Sequence, residues 1–339
     1  MKRLLLATLL SGLALGASAK ATVLTMSSWL PPTHAVVADF LVPWSQEIEK
    51  ETDGRVTLRL LTKPVTNPQG HFDAVRNGLA DIAFISHAYY PGRFDLVRYA
   101  VFPFSGDTAE SRSVAAWNVY EKHILAKDEH KGVKLLGIYT HGPGIVFTSS
   151  KPVKDAAGFD GLKIRVGGGM AADVAKAMGA SVIAKPAPES YELLSTGVVD
   201  GVFFPAESIQ SFKLDNVIKY ATMVPGGLYS DSHGVIMNQK AFDGLSDQDR
   251  AIIEKLSGAH LARVAGRAWD KHDLAAKPLI DQKIEVTKAD QAFIDDIAER
   301  TRPIRDQWLQ AMEKSGLDGT AVLAEFQQEV QAADAARGK

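Results

Sequence analysis

The sequence predicts an α/β protein: two similarly wound domains and a long helix able to brace them. Three observations carry this expectation. Short β-rich runs alternate with helical patterns, one strand–helix unit recurs, and the last hundred residues are almost wholly helical. The 339 residues correspond to two domains at roughly 150 residues each.

Val23-Leu24-Thr25-Met26 reads as the first strand, followed by a loop over Ser27 to Thr33. A helix is expected from about His34 to Thr52, because Val36, Val37, Phe40, Leu41, Trp44 and Ile48 share one face. Asp53-Gly54 ends it, and Arg55 to Leu60 alternates polar and apolar residues as a strand does. Phe72 to Leu79 predicts a short helix and Ile82 to Ile85 a further strand. The segment from Asn77 to Phe84 then has a counterpart from Thr196 to Phe203. Both read Gly-x-x-Asp between a helix and an apolar run, and Lys63-Pro64 and Lys185-Pro186 precede them similarly. Two such domains would set the carboxyl ends of their strands across a cleft, where open α/β sheets bind ligands. From Asp247 to about Ala276 no proline interrupts the helix formers, and about 30 residues would span roughly 45 Å. A strand over Lys283 to Thr287 and helices over Ala289 to Leu309 and Gly319 to Ala333 complete the chain.

Composition limits the function. Hydrophobic residues make up 46% and charged residues 23%, the balance of a water-soluble globular protein. A net charge of −2 gives no basic footprint for nucleic acid. The absence of cysteine excludes disulfides, thiolate metal sites and cysteine nucleophiles. Met1-Lys2-Arg3, the apolar run Leu4 to Gly16 and Ala17-Ser18-Ala19 have the layout of a cleaved secretory signal over residues 1–19. No later segment is apolar for long enough to span a bilayer, so an exported protein without a membrane anchor is expected.

Gly167-Gly168-Gly169-Met170-Ala171-Ala172 formally fits a dinucleotide fingerprint between a strand and a helix. The acidic ribose partner is missing, however: Ser181 to Ala184 is followed by Lys185. The same geometry suits a simpler anion, since free amides open the helix near Met170. Arg165, two residues before Gly167, is either a bidentate grip on a carboxylate or an inter-domain salt bridge. No G-x-S-x-G or H-E-x-x-H is present, and the nine histidines do not pair at metal-ligand spacing. Neither an enzyme, a metal nor a cofactor is expected. Asp231-Ser232-His233 reads as a hydrogen-bonded loop. Trp29, Tyr89, Tyr90, Phe203, Phe204 and Tyr229 are loop aromatics, several at predicted strand ends.

Gly161-Leu162-Lys163-Ile164-Arg165-Val166 resembles a segment of the extracytoplasmic solute receptors of TRAP transporters, the dicarboxylate-receptor or DctP type. Ser149 to Val153, Gly179-Ala180, Glu189-x-Tyr191, Gly197 to Gly201 and Asn238 extend the likeness. In the first half Thr52 to Val56, Gly78-x-x-Asp81-Ile82 and Phe102-Pro103-Phe104 do the same. The resemblance implies a two-lobed periplasmic-binding-protein fold, its lobes joined by crossing strands and a long helix. Lobe I would comprise residues 20–142 plus about 231–271, and lobe II residues 143–230 plus about 272–339. It further implies closure on an organic acid and delivery to the small and large membrane subunits of a sodium-coupled permease, with Arg165 holding the ligand carboxylate.

Two departures narrow the ligand. Where many relatives have a second arginine this chain reads His141-Gly142-Pro143-Gly144, and where many have asparagine it has Phe204. A second buried carboxylate or a polyol would leave polar atoms unpaired, at roughly 1–3 kcal/mol each. The expected ligand is therefore a monocarboxylate with an apolar or aromatic body. Arg165 and the amides of Gly167, Gly168 and Met170 would hold its carboxylate, while Trp29, Tyr89 and Phe204 would line its body. Asn238 completes the expected ligand-binding set. A sensory subunit of a signalling receptor and a periplasmic enzyme are the alternatives.

Overall fold

The computed structural model describes residues 21–337, so the expected export signal lies outside the described residues. In chain order the strands are β1 (Thr22–Ser27), β2 (Val56–Leu60), β3 (Ile82–Ser86), β4 (Val133–Thr140), β5 (Ile145–Thr148), β6 (Lys163–Val166), β7 (Ser181–Ala184), β8 (Gly201–Phe204), β9 (Tyr220–Met223), β10 (Ser232–Asn238) and β11 (Glu285–Lys288). They form a five-stranded sheet ordered β2-β1-β3-β10-β4 and a six-stranded sheet ordered β11-β9-β5-β8-β6-β7.

The two sheets share one plan. In the first lobe β1 runs parallel to β2 and β3, and β10 lies antiparallel to β3 and β4. In the second, β6 runs parallel to β7 and β8, and β5 lies antiparallel to β8 and β9. The antiparallel strands are exchanged: β4 leads into β5 of the other sheet, and β9 leads back into β10. The chain therefore crosses between lobes twice through these strands.

The sequence repeat has a physical basis. Gly78 and Gly197 follow the short helices His71–Arg76 and Ser190–Ser195 with φ of +77° and +72°, the left-handed turn that glycine adopts without strain. Asp81 and Asp200 then anchor the next strand to β1 and to β6, respectively. The amide of Thr25 donates to Asp81 Oδ2 at 2.7 Å, and that of Lys163 to Asp200 Oδ2 at 2.8 Å.

Three expected boundaries are corrected. The first helical region has a wide π-type turn over Val36–Leu41 before the regular helix Val42–Glu51. Pro43 lies at its start, where it lacks an N–H and its ring crowds the preceding turn. The expected helix from Asp247 is broken into Asp247–Lys255 and Gly258–Lys283. Trp117 packs so closely that a Cβ on Gly258 would lie 2.8 Å from its Nε1, and Trp44 Nε1 donates to the Leu256 carbonyl at 2.8 Å. The second piece keeps 26 residues, about 39 Å, and continues through Pro278. Finally, the helix Gly319–Arg337 packs against helix Ala109–Val119 of the first lobe rather than on the second. Phe326 meets Tyr99 at 5.4 Å between ring centroids, and Asn118 Nδ2 donates to Glu329 at 2.6 Å. The C-terminal segment thus returns to lobe I after β11 has paired with β9.

Candidate ligand-binding site

The shared plan aims the carboxyl ends of β1 and β3 at those of β6 and β8. Trp29 follows β1, Ala88-Tyr89 follow β3, Gly167-Gly168 follow β6, and Phe204 ends β8. The crossings contribute His141, Tyr229, Asp231 and His233, and the long helix contributes Trp269. Together they line one cavity between the two lobes.

The lobes touch across this space. Tyr89 Oη accepts the Ala187 amide at 3.0 Å, Arg98 pairs with Asp173, and a Cβ on Gly168 would lie 2.4 Å from the Ala88 carbonyl oxygen. Gly168 also has φ of +128°, so a side chain is excluded there on both counts.

Arg165 is the buried cation of the cavity, with 2% of its surface exposed. Its Nε and Nη2 both donate to the Lys185 carbonyl, at 2.9 and 2.6 Å. This anchors one edge of the guanidinium and turns the Nη1/Nη2 end into a fixed fork. The Phe204 ring lies 4.5 Å beneath it, a cation–π contact. Burial lowers the Arg165 pKa, while Tyr89, Tyr229 and Asp231 act in the opposite direction.

A belt of rings continues from that point. Centroid spacings are 5.4 Å from Phe204 to Phe212, 5.6 Å from Phe212 to His34 and 5.7 Å from His34 to Trp269. On the other wall Tyr89 meets Trp29 at 5.6 Å, and Trp29 meets Phe84 at 5.0 Å. His141 is neutral, its pKa pushed down to about 3 by burial, so no second cation faces Arg165 from that crossing. His233 is driven well below its ordinary value by burial as well. Asp231 accepts from the Ser86 hydroxyl, and burial pushes its carboxyl up to about 7. The walls are thus aromatic and largely uncharged, with one guanidinium at one end.

Of the residues expected to bind ligand, Arg165, Trp29, Tyr89, Phe204, Gly167 and Gly168 come together around this cavity. Met170 does not line it: its side chain is buried in the second lobe's core, 3% exposed. Asn238 is also corrected. It stands at the far end of β10, where Nδ2 donates to the Val75 carbonyl at 2.7 Å and Oδ1 caps the next helix through Ala241. Tyr90 packs on Phe72 and Phe94 instead. Phe203 and Tyr229 do reach the cavity, stacked on each other at 5.6 Å. Sequence reasoning missed Phe84, Phe212 and Trp269, which carry the apolar pattern of ordinary core. Asp231 and His233 were visible as Asp231-Ser232-His233, but nothing in the sequence tied that loop to Arg165.

Residues 26–312 match the bacterial extracellular solute-binding protein family 7, DctP. The chain belongs to that family. This DctP-type chain is 66% identical to a TRAP periplasmic solute-binding protein from Bordetella bronchiseptica whose crystal structure holds (R)- and (S)-mandelate. The match covers 92% of this chain and 99% of that one, with a TM-score of 0.91. A marine metagenome TRAP solute-binding protein specific for aromatic acid ligands, solved with 3-hydroxybenzoate, is 28% identical over 92% of this chain and 99% of its own, with a TM-score of 0.84. The protein named outer membrane transporter protein TsaT from Comamonas testosteroni is 28% identical over 95% of this chain and 96% of its own length. The DctP family is one of transport receptors, its members periplasmic or extracytoplasmic. No helix among the described residues is long and apolar enough to cross a membrane.

Proposed function

We propose that this chain is an exported, periplasmic receptor for aromatic monocarboxylates of the mandelate type, which it passes to a sodium-coupled TRAP permease. The observation that carries the reading is the pairing of one anchored guanidinium with an aromatic cavity. Arg165 offers its Nη1/Nη2 fork to a single carboxylate, and the first-turn amides beyond Gly168 add a favourable N-terminal field. Trp29, Phe84, Tyr89 and Phe204 surround the body of the acid. The mandelate held by the 66%-identical relative has this form: one carboxylate, one ring.

Binding is coupled to closure. Trp29 and Tyr89 belong to lobe I and Arg165 and Phe204 to lobe II, so a ligand gains all four contacts only when the lobes meet. The ligand therefore shifts the open–closed equilibrium by the contacts that exist in the closed form alone.

The test is a thermal-shift and calorimetric screen of ligand-free protein against mandelate, benzoate, succinate and a sugar acid. Ligand at about 100 times Kd adds roughly 2.7 kcal/mol, a rise in Tm of several degrees for a chain of this size. Mandelate should stabilise the wild type and have no effect on Arg165→Ala. Stabilisation by succinate or the sugar acid with no response to mandelate would overturn the aromatic reading.

A further inference from the structure

The cavity also holds polar atoms that its own side chains leave unpaired. Three of its lining side chains carry buried polar atoms with no protein partner: Trp29 Nε1, Trp269 Nε1 and His233 Nδ1. Trp29 stands beside Tyr89. Trp269 and His233 stand together, 6.2 Å apart between centroids, with Trp269 also 5.7 Å from His34 in the belt of rings. They are 5% and 7% exposed. A buried donor or acceptor left unpaired costs about 1–3 kcal/mol, so such a pair marks a place where the bound molecule supplies the partner.

The chemistry of the pair selects that partner. Indole Nε1 can only donate. On neutral His233, Nδ1 is an acceptor in one tautomer and a donor in the other. A hydroxyl oxygen accepts from the indole and serves the imidazole in either tautomer, by donating or by accepting. A halogen or a methyl group cannot.

We propose that Trp269 and His233 form a specificity subsite for a hydroxyl on the aromatic ring, so that the preferred ligands are ring-hydroxylated aryl monocarboxylates. This rests on the aromatic-acid reading above and sharpens it. Arg165 holds the carboxylate, the rings hold the aryl body, and the phenolic hydroxyl pairs with His233 Nδ1 while accepting from Trp269 Nε1. The ring hydroxyl is a neutral group here, and no charge is added beside Trp269 and His233.

The experiment is a calorimetric comparison of mandelate, 3-hydroxymandelate and 4-hydroxymandelate on the wild type, His233→Phe and Trp269→Phe. One hydroxylated isomer should bind the wild type about 10-fold more tightly than mandelate, the yield of two net hydrogen bonds. Each variant should lose that preference, read as the ratio of its affinities for the hydroxylated acid and for mandelate, and two variants guard against either one failing to fold. Mandelate binding equal to or tighter than both hydroxylated acids would overturn the subsite and leave the aromatic-acid reading intact. A preference for a hydroxylated acid that persists in both variants would also overturn it. Failure of all three acids to bind the wild type would remove both readings together.

Discussion

Replacing Arg165 with lysine is the sharpest perturbation of the site, because it keeps the charge and removes the fork. In the native arrangement Nε and Nη2 donate to the Lys185 carbonyl at 2.9 and 2.6 Å, and in the proposed complex the opposite end of the guanidinium would meet the ligand. An ammonium is a point donor on a flexible stem and cannot hold that carbonyl and a carboxylate in the same geometry. The loss is about one charge-assisted hydrogen bond plus the orientation of the other, roughly 2–3 kcal/mol or about 30- to 150-fold in Kd. Alanine leaves a buried ligand carboxylate without any cation and should cost about 3–5 kcal/mol. The assay is titration calorimetry with mandelate at 25 °C and pH 7, with near-ultraviolet circular dichroism to establish that each variant is folded. A mandelate methyl ester supplies the other half of a cycle: it should bind the wild type weakly and lose little further on Arg165→Ala. If the lysine variant binds within threefold of the wild type, or the ester loses as much as the acid, the bidentate assignment is wrong.

Two further outcomes follow from the same geometry. Gly168→Ala should abolish or greatly weaken ligand binding, by at least about 100-fold in calorimetry, because the added Cβ would sit 2.4 Å from the Ala88 carbonyl oxygen of the opposite lobe. Small-angle scattering with saturating ligand should then report an open molecule, and an unimpeded closure would refute the clash. The second outcome concerns pH. The Asp231 carboxyl is pushed up to about 7 by burial, so its ionised form is penalised in the closed state, and stability contributed below the unfolded pKa is lost as pH rises from about 4 to about 7. A ligand carboxylate at Arg165 disfavours ionisation further. Mandelate affinity should therefore fall above pH 7, by at most about tenfold per unit, and Asp231→Asn should flatten that dependence. An unchanged pH profile in Asp231→Asn would assign the titration elsewhere.

The parts of the fold governed by local chemistry were legible in the sequence. Gly78 and Gly197 could be matched because a helix must end and a strand begin within a few residues, and each lobe solves that problem with a left-handed glycine and an aspartate. The alternation of strands and helices, and the placing of Trp29, Tyr89 and Arg165 at strand ends, follow from the same short-range grammar. Non-local packing was not legible. The break in the long helix has only a slight local sign, Ser257-Gly258 with Gly258 at φ of +58°, and its packing depends on Trp117 and Trp44 from other elements. The return of the last helix to lobe I is likewise decided by an apolar face fitting Tyr99 and by Asn118 pairing with Glu329. In the site, Arg165 was found because glycines and a helix start surround it, whereas Trp269 carries the helical spacing of core. Asn238 misled because it serves as a cap at the wrong end of β10.

The two lobes share a topology, and the cavity arises from where they differ. After β1 the first lobe places Trp29, and after β3 it places Tyr89, both large rings reaching toward the other half. At the corresponding turn after β6 the second lobe has Gly167 and Gly168, which present backbone and no side chain. That emptiness lets Ala88 and Tyr89 come within contact of the second lobe, and Tyr89 then bonds the Ala187 amide at 3.0 Å. The guanidinium comes from the strand just before the glycines, where the Lys185 carbonyl beyond β7 can fix its orientation before any ligand arrives. Both lobes therefore supply apolar surface, Trp29 and Tyr89 from one and Phe204 and Phe212 from the other, and the second lobe alone supplies the charge and the room at its glycines. Neither half alone offers an acid both a paired carboxylate and a dry aromatic wall, so affinity depends on closure. A repeat that had kept its halves alike, with a ring at Gly167 or Gly168 to match Trp29, would have filled the cleft with its own side chains.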